Sequence, residues 1–110
     1  MTRFNDTLGR LAALIEARRG ADPAASWSAK LLADRPLAAK KLAEEAVELA
    51  LAAVQNDQAA IIAESADLLY HRLALIAGAG VTLDQVAGAL DAREGLSGLA
   101  EKAGRQDRVQ

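Results

Sequence analysis

No cysteine occurs in this chain, which excludes disulfide staples and thiolate metal sites. Aromatics are almost missing as well. Phe4, Trp27 and Tyr70 make up 3% of the residues, and histidine occurs once, at His71. Neither sign of charge dominates: the net charge is −2 and the pI near 5.3, which argues against a nucleic-acid or anionic-membrane partner. No apolar run approaches the ~18 residues of a membrane span, and the opening "MTRFNDTLGR" lacks the apolar core of a signal peptide. The expectation is a soluble, cytoplasmic protein.

What remains is mostly alanine, leucine and charge. With 110 residues there is room for one compact domain and not two. Hydrophobic residues reach 52%, but so many are alanine that helices are favoured and the core they bury is thin. A second copy of the chain is expected to complete that core. The domain is placed at 1–95, followed by a polar, glycine-containing tail at 96–110 that is partly helical or disordered.

The periodicity predicts an all-α fold of four main helices, bundle-like. Leu8, Leu11, Ala12 and Ile15 follow the spacing of a helix face, with Asn5 or Asp6 as cap and Gly20 as stop. The Gly and Pro of "GADPAAS" (20–26) mark a loop. A short helix fits "SWSAKLLAD", capped by Ser26 or Ser28 and ended before Pro36. Pro36 then suits the first turn of a long helix running to about Gln55. Asp57 caps the next, which ends at "GAG" (78–80). Thr82-Leu-Asp-Gln85 is a capping box for the last, with Val81 and Val86 as its hydrophobic staple. No strand pattern is present.

The chemistry lies in "KKLAEEAVELALA" (40–52), where Glu44, Glu45 and Glu48 share one side of an otherwise apolar helix. At 100° per residue, 44 and 48 lie about 40° apart and 45 and 48 about 60°. Leu42, Ala46, Leu49 and Ala53 make one apolar stripe beside them; Ala43, Val47, Ala50 and Val54 make another. The next helix repeats the pattern, "IIAESADLLYHRL" placing Glu64 and Asp67 at i, i+3 among apolar neighbours. Two antiparallel helices with mid-length acids bring these carboxylates together, which raises their pKa values and strains the fold unless a cation compensates. All-oxygen ligation suits Mg²⁺ or Mn²⁺, whereas zinc and copper usually recruit His or Cys. The plain alternative is a solvated stripe with Lys40–Glu44 and Lys41–Glu45 pairs. A di-iron bundle is excluded, because it needs Glu-x-x-His on two helices and His71 stands four residues after Asp67.

"EEAVE" (44–48) followed by "ESAD" (64–67), with residues 49–63 between, resembles the E-E-x-x-E…E-x-x-D signature of the all-α nucleotide pyrophosphohydrolases, the MazG-like superfamily. Within it, "RRGADPAASWSAKLL" (18–32), "KKLAEEAVE" (40–48) and "ADLLYH" (66–71) resemble the phosphoribosyl-ATP pyrophosphatase family, over roughly residues 7–94. The acidic signature is shared across the superfamily; the "GADP…SWSAKL" loop points to the histidine-biosynthesis branch.

The resemblance implies a MazG-type fold, a dimer or dimer of dimers, and Mg²⁺-dependent hydrolysis of phosphoribosyl-ATP to phosphoribosyl-AMP and pyrophosphate. It implies Glu45, Glu48, Glu64 and Asp67 as metal ligands, and Glu44 as a fifth carboxylate that binds a second ion or orients water. Of Arg18-Arg19, either can meet the substrate, and Trp27 stands where that family is expected to carry a tyrosine.

Other residues carry two readings. Arg18, Lys30, Lys40 and Lys41 can offset an anionic substrate or be ordinary surface cations. Ser26 and Ser28 can donate to phosphate or cap a helix. His71 can support a ligand carboxylate or be a partly buried structural histidine. Trp27 and Tyr70 suit a core or interface as well as a substrate contact. The rival functions are a house-cleaning nucleoside triphosphate pyrophosphatase and a non-catalytic helical dimerisation module.

Overall fold

The computed structural model describes residues 2–94 and 104. The order of elements is α1 (Arg3–Ala17), α2 (Trp27–Ala33), α3 (Arg35–Val54), α4 (Gln58–Gly78) and α5 (Leu83–Arg93), with no strand among the described residues. The fold is all-α, with four longer helices and the short α2 between α1 and α3. The chain divides into two compact units, Met1–Gly80 and Val81–Gln110. The tail at 96–110 lies, save Gly104, outside the described residues.

Caps set most of the helix ends. Ser26 Oγ accepts from the Ala29 amide at 3.1 Å to open α2, and Asp57 Oδ1 accepts from Ala60 at 3.1 Å to open α4. Asp34 ends α2 and also caps α3, accepting from Leu37 at 3.1 Å, so Pro36 falls in the first turn, where no donor is missed. In the second unit Thr82 and Gln85 form both bonds of the capping box at the start of α5. The first helix departs from expectation. Its cap is Thr2 and not Asn5 or Asp6, because the Thr2 hydroxyl accepts from the Asn5 amide at 3.3 Å. Asp6 falls in the first turn, where a negative charge suits the helix dipole.

Helix α4 is the centre of the first unit and packs against α1, α2 and α3, most extensively against α3. Only residues 55–57 link α3 to α4, so the two lie as neighbours. Asn56 takes the left-handed conformation needed for so short a link, at φ 60°. At the far end of α4, Gly80 at φ 77° supplies the left-handed residue after the cap. There Arg19 donates to the Ala77 carbonyl at 2.8 Å and Arg35 to the Gly78 carbonyl at 2.9 Å. Two cations thus satisfy the terminal carbonyls and complement the negative end of the dipole.

The core is as thin as the composition predicts. Ile15 and Leu31 are the only large side chains fully buried among the described residues, with Ala29, Ala38, Ala52, Leu73 and Ala74 filling close approaches. On α3 the inward row runs Ala38, Leu42, Glu45, Leu49, Ala52, at steps of three and four. The second apolar stripe, Ala43, Val47, Ala50 and Val54, is exposed in the single chain.

Candidate active site

The inward row of α3 includes a glutamate, and so does the facing row of α4. Glu45 and Glu64 are both half-buried where the two helices meet, while Glu48 lies at the exposed edge of the same contact. One carboxylate oxygen from each of Glu45, Glu48 and Glu64 falls within 4.8 Å of the other two. Glu45 Oε2 and Glu64 Oε2 are buried and have no hydrogen-bond partner among the described residues. An ionised carboxylate in that position has lost water without replacement, which is costly.

The other two acids stand at the rim. Asp67 is exposed one turn beyond Glu64 and outside that trio, yet its charge helps to raise the Glu64 pKa. Glu44 pairs with Lys41, Oε2 to Nζ 3.5 Å, and its charge adds to the upward pressure on Glu48. The sequence-based pairing Lys41–Glu45 therefore does not form. Glu45 is turned inward by the same rotation that buries Ala38 and Ala52, so Glu44 is the acid left within reach. Lys40 is exposed and makes no ion pair among the described residues.

The crowding shifts two protons. Glu48 is held above the ordinary carboxylate value of 4.5, first by sharing a hydrogen bond with Glu64 and then by the repulsion of that neighbour's charge. Glu64 is raised above the same value, mainly by its hydrogen bond with Glu45. Between 4.5 and the raised values the folded chain binds more protons than the unfolded one. Their contribution to stability is thus full below 4.5 and is lost as pH rises through the raised values. Glu64→Gln removes this penalty. In EDTA, melts of wild type and variant should diverge as pH rises above 4.5, with the variant gaining; a constant difference across pH would contradict the shared-proton cluster.

A second group lies beside the acids. The Trp27 indole Nε1–H donates to His71 Nε2 at 3.3 Å, and His71 Nδ1 donates to the Asp67 carbonyl at 2.9 Å. Lys30 Nζ and Lys41 Nζ lie 5.8 and 5.9 Å from the centre of the Trp27 ring. Ser28 Oγ and Tyr70 Oη are 2.6 Å apart, so neighbouring residues 27 and 28 of α2 fasten to neighbouring residues 71 and 70 of α4. Ser28 is thereby engaged, and Ser26 is the cap of α2, with its hydroxyl proton still able to donate. Arg19 is committed to Glu16, at 2.6 and 2.9 Å, and to Ala77. Arg18, exposed at the end of α1, is the member of the basic pair whose guanidinium has no partner among the described residues.

His71 follows the reading of a buried structural histidine and not that of support for a ligand carboxylate. It is buried, and its ring bonds to a main-chain carbonyl and an indole instead of a ligand carboxylate. Periodicity places it one turn from Asp67; nothing local indicates that its other partner comes from α2.

Comparison with known proteins decides the family. The phosphoribosyl-ATP pyrophosphohydrolase family matches residues 8–94. The chain belongs to that family. Among its relatives, the phosphoribosyl-ATP pyrophosphatase of Caulobacter vibrioides (strain NA1000 / CB15N) is 64% identical over 103 residues, covering 94% of this chain and 96% of that one. The protein of the same name from Caulobacter sp. (strain K31) is 59% identical, covering 96% and 98%. That of Cereibacter sphaeroides (strain ATCC 17029 / ATH 2.4.9) is 57% identical, covering 89% and 96%. Every acid, cation and aromatic of the candidate site falls within the stretch matched to the phosphoribosyl-ATP pyrophosphohydrolases.

Proposed function

We propose that this chain hydrolyses phosphoribosyl-ATP to phosphoribosyl-AMP and pyrophosphate, the second step of histidine biosynthesis. The observation that carries the reading is the meeting of Glu45, Glu48 and Glu64, with two buried oxygens that have no hydrogen-bond partner among the described residues. Membership of the family supplies the substrate. All-oxygen donors of this kind fit a hard divalent cation, Mg²⁺ or Mn²⁺, better than zinc or copper. Glu45, Glu48, Glu64 and Asp67 would hold it, with Glu44 at the edge of the set. The cation, when bound, neutralises phosphate charge and lowers the pKa of the attacking water.

The side chains around the acids complete the fit to an anionic substrate. Lys30 and Lys41 flank Trp27, and Lys40 and Arg18, on the same compact unit, carry charges that form no ion pair among the described residues. Pyrophosphate release from phosphoribosyl-ATP should be fast with Mg²⁺ and negligible in EDTA, and should exceed release from dCTP and dUTP. Equal turnover of all three nucleotides would point to a house-cleaning enzyme; no release and no Mg²⁺ binding would leave a helical module without catalysis.

A homodimer, or a dimer of dimers, completes the core. Support comes from the apolar residues that the single chain leaves uncovered on α3 and α4: Val47 at 58%, Val54 at 85% and Ile62 at 71% exposure. No single helix among the described residues is long and apolar enough to cross a membrane. Light scattering at micromolar concentration should give at least twice the chain mass of 11.5 kDa. A fully active monomer would contradict the dimer.

A further inference from the structure

We infer that His71 is a positioning residue: through the indole of Trp27 it sets the two lysines, Lys30 and Lys41, at the edge of the carboxylate cluster. The inference rests on the phosphate-binding role proposed above for those lysines and goes beyond it by naming what fixes them.

The hydrogen bonds around His71 admit one arrangement. The Asp67 carbonyl can only accept, so Nδ1 carries the proton. The indole N–H can only donate, so Nε2 presents its lone pair. The imidazole is therefore a neutral bridge with one end on the turn that bears Asp67 and the other on the ring of Trp27. Its edge-on contacts, 6.3 Å to Trp27 at 80° and 5.0 Å to Tyr70 at 83°, leave it little room to rotate. His71 itself is buried, whereas Trp27 is 41% exposed. A half-exposed indole without this anchor would sample several rotamers.

What the anchored ring does follows from its neighbours. Ammonium groups from two helices, Lys30 of α2 and Lys41 of α3, lie within 6 Å of its centre. Long lysine side chains lose much rotamer freedom on binding a phosphate, and a ring that already holds them lowers that cost. Lys41 also reaches Glu44, so the same bracket touches the acids. His71, Trp27 and the two lysines thus form one line from the α4 backbone to the cations. The expected substrate group is the triphosphate chain. Fixing the ring should then act on substrate binding more than on the chemical step.

Trp27 is the only tryptophan, so its fluorescence reports this ring alone. In the full chain, His71→Leu removes the acceptor, while His71→Gln can offer an amide oxygen to the indole. His71→Leu should free the ring, seen as a faster component in the anisotropy decay. It should raise KM for phosphoribosyl-ATP about three- to tenfold with little change in kcat, the effect of losing one neutral hydrogen bond and its ordering. His71→Gln should restore both. Trp27→Phe, which keeps a ring but has no N–H, should show the same rise in KM while leaving the hydrogen bond from His71 to the Asp67 carbonyl in place. The inference is overturned if the indole is as immobile in His71→Leu as in wild type, or if Trp27→Phe keeps the wild-type KM. It is overturned equally if kcat and KM change together and glutamine rescues neither. The phosphate reading fails separately, if Lys30→Ala and Lys41→Ala leave KM unchanged while the anisotropy behaves as described.

Discussion

Glu45→Gln is expected to lower pyrophosphate release by orders of magnitude while leaving the metal-free protein as stable as wild type or more so. Both halves follow from one placement. Glu45 lies on the inward row of α3 with Oε2 buried and unpartnered among the described residues, and its other contacts are with Glu48 and Glu64. Without a cation these acids repel one another, and the amide removes one charge while keeping the shape and adding donors for its neighbours. With Mg²⁺ the balance reverses, because the variant has lost a ligand and the water its activation. Magnesium should therefore raise the melting temperature of wild type more than that of the variant. Thermal melts in EDTA and in Mg²⁺, beside an activity assay, read both halves. If position 45 were merely a solvated carboxylate, the change would be small and independent of magnesium. Equal magnesium shifts in the two proteins would refute the ligand assignment.

The second large effect is expected at Lys30. Its ammonium is exposed, forms no ion pair among the described residues, and lies 5.8 Å from the Trp27 ring. A charge-assisted contact to phosphate is worth about 1.5–3 kcal/mol, so Lys30→Ala should raise KM or lower kcat/KM by roughly tenfold or more. The loss should shrink as salt is added, since an exposed cation is screened over about 10 Å at 0.1 M. Helix stability should scarcely change, because lysine and alanine are both good helix formers. Wild-type kinetics at low ionic strength would return Lys30 to the ordinary surface.

These expectations draw on different depths of the chain. The sequence by itself determined the helices, since caps and turn residues act within three or four positions of themselves. Asp57, Ser26, and Thr82 with Gln85 all cap where their local patterns indicate. It also carried the kinship, because the acids of 44–48 and 64–67 and the "GADP…SWSAKL" segment resemble the family's motifs as strings of residues. The first helix was misplaced at its start for an equally local reason: Thr2, Asn5 and Asp6 are all competent caps, and only the amide each one meets separates them.

Only the tertiary structure decided which row of α3 faces inward. Leu42 and Leu49 of one apolar stripe do, with Ala38, Glu45 and Ala52, whereas Ala46 and Ala53 of that stripe and all four residues of the other are exposed. Periodicity fixes the angle between stripes and not the direction in which either points; the packing of α4 fixes that. This rotation buries Glu45, turns Glu44 to Lys41 and leaves Val47 and Val54 exposed. It equally decided the role of His71, whose ring bridges a carbonyl four residues back and an indole 44 residues away. No local pattern carries that second partner, because the bond exists only after α2 has been laid against α4.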